Sequence, residues 1–125
     1  MDPFFSVIIP VYNRANKLGA AIESVRAQSC QDFEILVVDD GSGDDPSRIA
    51  EPFHDPRIRF MSQPNGGGGK ARNTAIDQAR GRFIAPLDSD DVFLTHHLAD
   101  MKALLENSSN KVRGSSELGQ LDTGH

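Results

Sequence analysis

Short apolar runs alternate with segments of helical period along this chain, and that alternation limits the possible folds more than any other feature. The strand-like runs are residues 5–11, 33–38, 57–61 and 82–87. The helix-like segments are residues 16–27, 46–53, 70–79 and a fourth that starts after Thr95. Continuous apolar strands joined by helices are typical of a parallel sheet with both faces covered. The sequence therefore predicts an α/β fold, with a mainly parallel sheet and helices on both of its faces.

The helix-like segments also carry signals for where each helix begins and ends. The apolar residues of the first segment recur at helical spacing, at Leu18, Ala21, Ile22 and Val25. Asn13 or Asn16 is expected to cap the N-terminus of this helix. Gly81 follows the third segment, where a left-handed C′ residue would end it. Thr95 is expected to be the N-cap of the fourth helix.

Length and charge exclude several classes of protein. The 125 residues fit one domain. A net charge of −5 opposes binding to nucleic-acid phosphates, so we expect no nucleic-acid partner. No apolar run approaches the roughly 20 residues that span a bilayer, and the N-terminus lacks the pattern of a signal peptide. We therefore expect a cytoplasmic location, either free or at the inner face of the membrane. The single Cys30 can form no internal disulfide.

Unusual polar residues follow three of the four predicted strands. They are Tyr12 and Asn13 after the first, Asp39 and Asp40 after the second, and Asp88, Asp90 and Asp91 after the fourth. Ligands of open α/β sheets bind beyond the carboxyl ends of the strands, so this convergence predicts a binding site. Asp88-Ser89-Asp90 has the spacing that lets two carboxylates reach one hard cation, Mg²⁺ or Mn²⁺. A solvated acidic turn is the alternative interpretation.

Two further segments have both a structural and a functional interpretation. Asp39 and Asp40 are ordinary turn residues, or one of them accepts hydrogen bonds from a ligand. The glycines at 66–69 form a flexible loop, or they let backbone amides at a helix N-terminus approach a phosphate. Lys70 and Arg72 beside these glycines favour a nearby anion.

Four segments together resemble the N-terminal half of a family 2 glycosyltransferase with the GT-A fold. They are residues 7–13, residues 29–42, the Gly-Lys-Ala-Arg-Asn run at 69–73, and residues 79–91 with Leu-Asp-Ser-Asp-Asp. The resemblance extends from about Phe4 to Asn107, and it implies a Rossmann-like GT-A half-domain. Residues 1–107 are then expected to be the nucleotide-sugar-binding part, and residues 108–125 a polar, flexible tail.

The resemblance implies a nucleoside diphosphate sugar as donor, most commonly a UDP-sugar in this family. Pro10 and Tyr12 would lie against the base, Asp40 would accept the uracil N–H, and Asp39 would support that turn. The full set of implied nucleotide-binding residues is Pro10, Tyr12, Asp39, Asp40, Arg72, Asp88 and Ser89. Asp90 and Asp88 are the implied ligands of a divalent metal, Mn²⁺ or Mg²⁺, that bridges the diphosphate.

The resemblance also implies what the partners are. The sugar would pass with inversion to a saccharide or lipid acceptor of unknown identity. Family members continue for about another hundred residues that supply a catalytic base. The chain is therefore expected to be truncated, with its catalytic residue unassigned. The unpaired edge of the strand at 82–87 is expected to favour a homo-oligomer.

Three other interpretations remain open on the sequence. A non-catalytic fragment that binds nucleotide sugars would share every feature above. A receiver domain of two-component signalling has a similar length and βα repetition, but its acidic pair after the first strand is missing here. A sugar-1-phosphate nucleotidyltransferase shares the sheet type, but it needs a Gly-rich, Arg-containing loop after that strand.

Overall fold

The structure is a computed structural model that describes residues 2–109. Its strands are β1 (Phe5–Val11), β2 (Phe33–Asp39), β3 (Ile58–Ser62) and β4 (Phe83–Pro86). Its helices are α1 (Ala15–Arg26), α2 (Ser47–Ala50), α3 (Gly68–Gln78) and α4 (His97–Ser109), with a 3₁₀ turn, Glu51–Phe53, directly after α2. Strands and helices alternate along the described residues, which confirms the predicted order of elements.

The four strands form one parallel sheet in the order β3-β2-β1-β4. Strand β1 is central, pairing along its whole length with β2 and through residues 5–8 with β4. The order 3-2-1-4 is that of a Rossmann sheet, whereas receiver domains have the order 2-1-3-4-5. Strands β2 and β3 are added on one side of β1 and β4 on the other, so the strand order reverses between β1 and β4. Such a switch point is where α/β proteins bind ligands.

Apolar side chains are buried on both faces of the sheet. The larger cluster packs residues of α1, α2 and α4 against one face, and it includes Leu18, Ile22, Ala50, Leu98 and Leu105. The smaller cluster packs Ala71 and Ala75 of α3 against Ile8, Leu36 and Val38 on the other face. The predicted apolar face of α1 is confirmed, since all four of its residues are buried. The predicted parallel sheet with helices on both faces is therefore also confirmed.

The N-terminus of α1 is capped from a distance, so the prediction of Asn13 or Asn16 as its cap was wrong. Arg14 holds the N-cap position and makes no side-chain capping bond. The Ala15 amide instead donates to Asp44 Oδ2 at 3.0 Å, from the segment that follows β2. A carboxylate at a helix N-terminus satisfies a free amide and the helix dipole equally well from either part of the chain.

The glycines around α3 also differ from expectation. The helix begins at Gly68, inside the glycine run, and it ends at Gln78 with Ala79 extended behind it. Gly81 is therefore not a C′ residue. Its role is a close approach, because a Cβ at this position would lie 2.6 Å from Phe5 C and Ser6 N of β1. Only glycine fits such backbone contact without displacing a strand.

The last elements are shifted from their predicted bounds. Helix α4 begins at His97, so Thr95 lies one residue too early to be its N-cap, and β4 contains four residues. The predicted flexible tail falls almost wholly on residues 110–125, which lie outside the described residues. Within residues 2–109, no helix has the length and apolar character needed to cross a membrane.

Candidate functional site

The carboxyl ends of β1, β2 and β4 meet at one edge of the sheet. Val11 of β1 lies opposite Asp39 of β2, and its carbonyl accepts the Asp40 amide at 2.9 Å. Pairing between β1 and β4 ends earlier, with the Leu87 amide donating to the Ile8 carbonyl at 2.9 Å. Pro10 lies beyond that last bond. The predicted site residues of these three strands are thus neighbours through the backbone of the sheet.

Asp40 is buried at the end of β2, and its carboxylate turns toward the glycine segment. Its Oδ1 accepts from Gln63 Nε2 at 2.9 Å and from the Gly66 amide at 3.0 Å. Its Oδ2 accepts from the Gly67 amide at 3.0 Å and, more weakly, from Asn65 Nδ2 at 3.4 Å. The hydrogen bond from Gln63, the two glycine amides and the nearby Lys70 charge together outweigh burial and lower the pKa of Asp40.

The turns after β1 and β2 are tied to each other by side chains. Asp39 Oδ1 accepts the Ser42 amide at 2.8 Å, which supports the predicted turn role of Asp39. Ser42 Oγ accepts the Asn13 amide at 2.9 Å, and Asn13 Oδ1 accepts the Gly43 amide at 2.8 Å. Asn13 adopts a left-handed φ of 53°, a conformation that asparagine tolerates better than most residues. The two bonds of Asn13 hold the backbone directly after Tyr12, a residue that is 50% exposed.

The acidic residues after β4 are brought together. Carboxylate oxygens of Asp88, Asp90 and Asp91 lie within 4.8 Å of one another, and all three side chains are exposed. Ser89 between them is buried, and the Asp91 amide donates to the Asp88 carbonyl at 3.0 Å. Hard oxygen donors in a compact, solvent-facing group suit Mg²⁺ or Mn²⁺, which keep some waters and share phosphate oxygens. The donor set therefore fits the cation expected from the sequence.

Arg72 is not brought into contact with the other predicted site residues. It lies on α3 with an exposed side chain, and within residues 2–109 it makes no hydrogen bond or ion pair. Helix α3 packs against β1 and β2, so Arg72 is carried near the carboxyl edge without touching Asp40 or the acidic residues.

Several residues at this edge were not predicted as part of the site. Gln63 and Asn65 donate to Asp40, and Thr74 Oγ1 of α3 donates in turn to Gln63 Oε1 at 2.6 Å. Asp91, which the sequence placed at this edge but not among the metal ligands, also belongs to the acidic group. Gln63, Asn65 and Thr74 had no local signal, because their contacts form only when the chain folds.

The sequence matches the family Glycosyl transferase family 2 over residues 6–115. The chain belongs to this family. The membership confirms the resemblance found in the sequence, and it agrees with a strand order that excludes a receiver domain. The predicted GT-A half-domain is confirmed as well, because this family 2 chain superposes on solved glycosyltransferases.

Relatives of this family 2 chain are considerably longer than it is. An uncharacterized glycosyltransferase of Rickettsia felis is 47% identical over 109 residues, which are 86% of this chain and 18% of that relative. S. aureus TarS 1-349 in complex with UDP-GlcNAc matches with a TM-score of 0.79 and 35% identity, covering 86% of this chain and 32% of TarS 1-349. The mannosyltransferase PcManGT of Pyrobaculum calidifontis, in complex with GDP-Man and Mn²⁺, matches with a TM-score of 0.68 and 26% identity. The match covers 85% of this chain and 32% of PcManGT.

Proposed function

We propose that residues 1–107 form the donor-binding part of a glycosyltransferase that uses a UDP-sugar and a divalent metal, and that transfers the sugar with inversion to a saccharide or lipid acceptor. The observation that carries this proposal is the acidic group of Asp88, Asp90 and Asp91 at the switch point of the sheet. The UDP-GlcNAc complex of TarS and the GDP-Man and Mn²⁺ complex of PcManGT support a nucleotide-sugar donor and a cation.

The nucleotide base would lie at the ends of β1 and β2. Tyr12 offers an exposed ring for stacking, with Pro10 beside it in β1. A carboxylate has about four acceptor positions, and in Asp40 all of them receive donors from the protein. A base N–H must therefore replace one of these donors. The longest of these contacts is the 3.4 Å one from Asn65, so the base N–H would take that position. Asp39 supports the turn, as its bond to the Ser42 amide indicates.

The diphosphate would lie between the acidic group and the N-terminus of α3. Asp90 and Asp88 would hold the metal, Ser89 would fix the loop between them, and Arg72 would reach the diphosphate from α3. When bound, the cation neutralises the diphosphate and stabilises the leaving nucleotide as negative charge develops on it. Arg72 is exposed and has no hydrogen-bond or ion-pair partner among residues 2–109, so its guanidinium can pair with a phosphate in the way that such groups favour.

Titration of UDP by calorimetry, with Mn²⁺ and with a chelator, tests this proposal. We expect tighter binding with Mn²⁺, because three clustered carboxylates and a diphosphate repel one another without a cation. Asp90→Ala should remove the metal-linked part of the affinity, and Asp88→Ala should reduce it less. Asp77→Ala on α3 is the matched control, since it removes an exposed carboxylate outside the site. Equal UDP affinity with Mn²⁺ and with chelator would contradict the proposal.

A further inference from the structure

Gln28 lies just beyond α1, and its side chain binds a segment that follows the acidic residues by only a few positions. The residue is 2% exposed. Its Nε2 donates to the Leu94 carbonyl at 2.6 Å and to the Ser24 carbonyl at 3.1 Å. Its Oε1 accepts the Leu98 amide at 2.9 Å. A single amide side chain thus satisfies three backbone groups, two of which lie 66 and 70 positions away along the chain.

Two neighbours of Gln28 bind the same segment. Ser24 Oγ accepts the Phe93 amide at 3.0 Å while it donates to the Ala21 carbonyl. The Ser29 amide donates to the Thr95 carbonyl at 3.0 Å, and Ser29 Oγ lies 2.9 Å from His96 Nδ1. The last turns of α1 and the residues just after it therefore contact nearly every residue from Phe93 to Leu98.

Hydrogen bonds to the rest of the protein hold the acidic loop, residues 88–92, at both of its ends. At its start, the Leu87 amide is bonded to the Ile8 carbonyl of β1. At its end, Phe93 and Leu94 are bonded to Ser24 and Gln28. The backbone hydrogen bond inside the loop joins Asp91 to Asp88. The distance between the two anchored ends sets the span over which the three carboxylates can be arranged.

We propose that Gln28, assisted by Ser24, is a positioning residue that holds the acidic loop in the geometry needed to bind a divalent cation together with the donor diphosphate. The inference rests on the proposed function of that loop. Gln28 touches neither cation nor nucleotide, and it acts through the backbone of residues 93–98. A carboxamide fits this buried position because it has both a donor and an acceptor, and both are satisfied by backbone groups here.

Gln28→Met tests the role because methionine has nearly the same shape and neither hydrogen-bonding group. The Leu94 carbonyl and the Leu98 amide are then unsatisfied unless the loop shifts, and unpaired buried backbone groups are costly. We expect the Mn²⁺-linked gain in UDP affinity to fall about tenfold, which is about 1.4 kcal/mol. UDP affinity in chelator should stay within about twofold of the unmodified chain, because Asp40 and Tyr12 are untouched. Gln78→Met is the matched control, since Gln78 is an exposed glutamine of α3 whose side chain makes one long contact, 3.5 Å from Arg59 Nη2, and none with residues 93–98.

Ser24 supplies a second, milder test in case Gln28→Met does not fold. Ser24→Ala removes the acceptor of the Phe93 amide, and it should lower Mn²⁺-linked UDP affinity in the same direction. Ser24→Thr keeps the hydroxyl and should restore that affinity. Electron paramagnetic resonance of Mn²⁺ in the presence of UDP gives an independent readout, because a displaced carboxylate alters the symmetry of the bound ion.

The possible results separate this inference from the proposed function. A Gln28→Met chain with unchanged Mn²⁺-linked affinity overturns the inference alone. Equal losses with Mn²⁺ and with chelator also overturn it, because they indicate general destabilisation. An unmodified chain whose UDP affinity ignores Mn²⁺ overturns the proposed function and the inference together.

Discussion

Asp40 stands at the end of β2, and its carboxylate holds residues 63–67 in place. It accepts hydrogen bonds from the backbone amides of Gly66 and Gly67 and from the side chain of Gln63, all in the loop between β3 and α3. Gly41 makes this loop's approach possible. It adopts a φ of +80°, and a Cβ there would lie 2.7 Å from the Asn65 backbone nitrogen. A residue that the sequence offers for base recognition therefore also orders the loop leading into α3.

Asp40→Asn should affect both of these roles. The Gly66 and Gly67 amides donate to different oxygens of Asp40, so an asparagine places its NH₂ group against one of them and at least one charge-assisted hydrogen bond is lost. We expect a loss of about 1–2 kcal/mol in the free energy of unfolding and weaker UDP binding, measured by urea denaturation and calorimetry. Asp39→Asn is the comparison, because its Oδ1 accepts one amide and an asparagine oxygen can still do so. UDP affinity unchanged in Asp40→Asn would refute the assignment of Asp40 to the base.

Asp55 precedes β3, and its carboxylate is paired with two arginine side chains. Arg57 donates to both of its carboxylate oxygens, at 3.1 and 2.9 Å, and Arg26 of α1 donates at 3.3 Å. Hydrogen bonds from Arg57, which outweigh burial, lower the pKa of Asp55 to about 2. The carboxylate thus joins the start of β3 to the last turn of α1.

The depressed pKa of Asp55 predicts a dependence of stability on pH. A group whose pKa is lower in the folded chain stabilises it above the unfolded pKa, near 4, and stops doing so as the pH falls toward 2. Asp55→Asn should therefore cost about 1–2 kcal/mol at pH 7, after allowance for partly exposed arginines, and almost nothing near pH 2. Urea unfolding at several pH values measures this, with Asp77→Asn as control. A cost that does not change with pH would show that the ion pairs are not its source.

At the scale of the elements, the connection from α3 to β4 depends on close backbone packing. Gly81 lies against β1, and its amide donates to Ser6 Oγ at 2.7 Å. Ser6 Oγ in turn donates to Glu34 Oε2 at 2.6 Å, and Glu34 also accepts the Arg80 amide. Burial alone would raise the pKa of Glu34, but these bonds and the Arg59 charge lower it. The amino ends of β1, β2 and β4 are therefore joined by one polar network.

Two glycine substitutions near α3 should have opposite effects. Gly81→Ala forces a Cβ into the backbone of Phe5 and Ser6, so we expect a loss of about 1–3 kcal/mol in stability. Gly69→Ala lies within α3 where a Cβ meets nothing within 4 Å, and it should stabilise by about 0.5–1 kcal/mol. Thermal unfolding of both variants checks this. Equal effects of the two would mean that the close approach of Gly81 is not what stabilises the connection.

The elements that the sequence predicts best are those with a local pattern. The strands and the buried face of α1 follow from apolar spacing, and the acidic group follows from carboxylates within one turn. The cap of α1 comes from Asp44, 29 positions away, and the partners of Gln28 come from still farther along the chain. No local pattern carries such contacts, because folding alone brings those residues together. The donors to Asp40 were missed for the same reason.

At the scale of the whole molecule, β4 is an edge of the sheet formed by the described residues. The Leu87 amide donates to Ile8 of β1 and the Phe83 amide donates to Phe4 just before it. Because backbone groups alternate along a strand, those of Ile84 and Pro86 are directed to the outer side of the sheet. Proline has no N–H, which leaves Ile84 as the outward donor of β4 and weakens this edge as a template for strand pairing. Exposed Val92 and Leu94 lie just after it.

We expect weak self-association of the chain through this edge and its apolar neighbours. Sedimentation velocity should show a mass that rises with protein concentration. Leu94→Lys should reduce the association at little cost in stability, because the side chain is 81% exposed. Leu104→Lys on α4 is the control for a general effect of added charge. A concentration-independent monomer would contradict the expectation.

Pro10 has a consequence for how the sheet opens at its carboxyl edge. The backbone groups of successive β1 residues are directed alternately toward β2 and β4. Those of Ile8 are directed toward β4, so those of Pro10 are as well. Any other residue at this position would offer an amide to the Leu87 carbonyl and extend the pairing by one step. Because proline cannot, the two strands part there, and the Leu87 carbonyl has no donor among residues 2–109. The missing hydrogen atom of one imino acid thus leaves a backbone acceptor unpaired at the carboxyl edge of the sheet, one residue before Asp88.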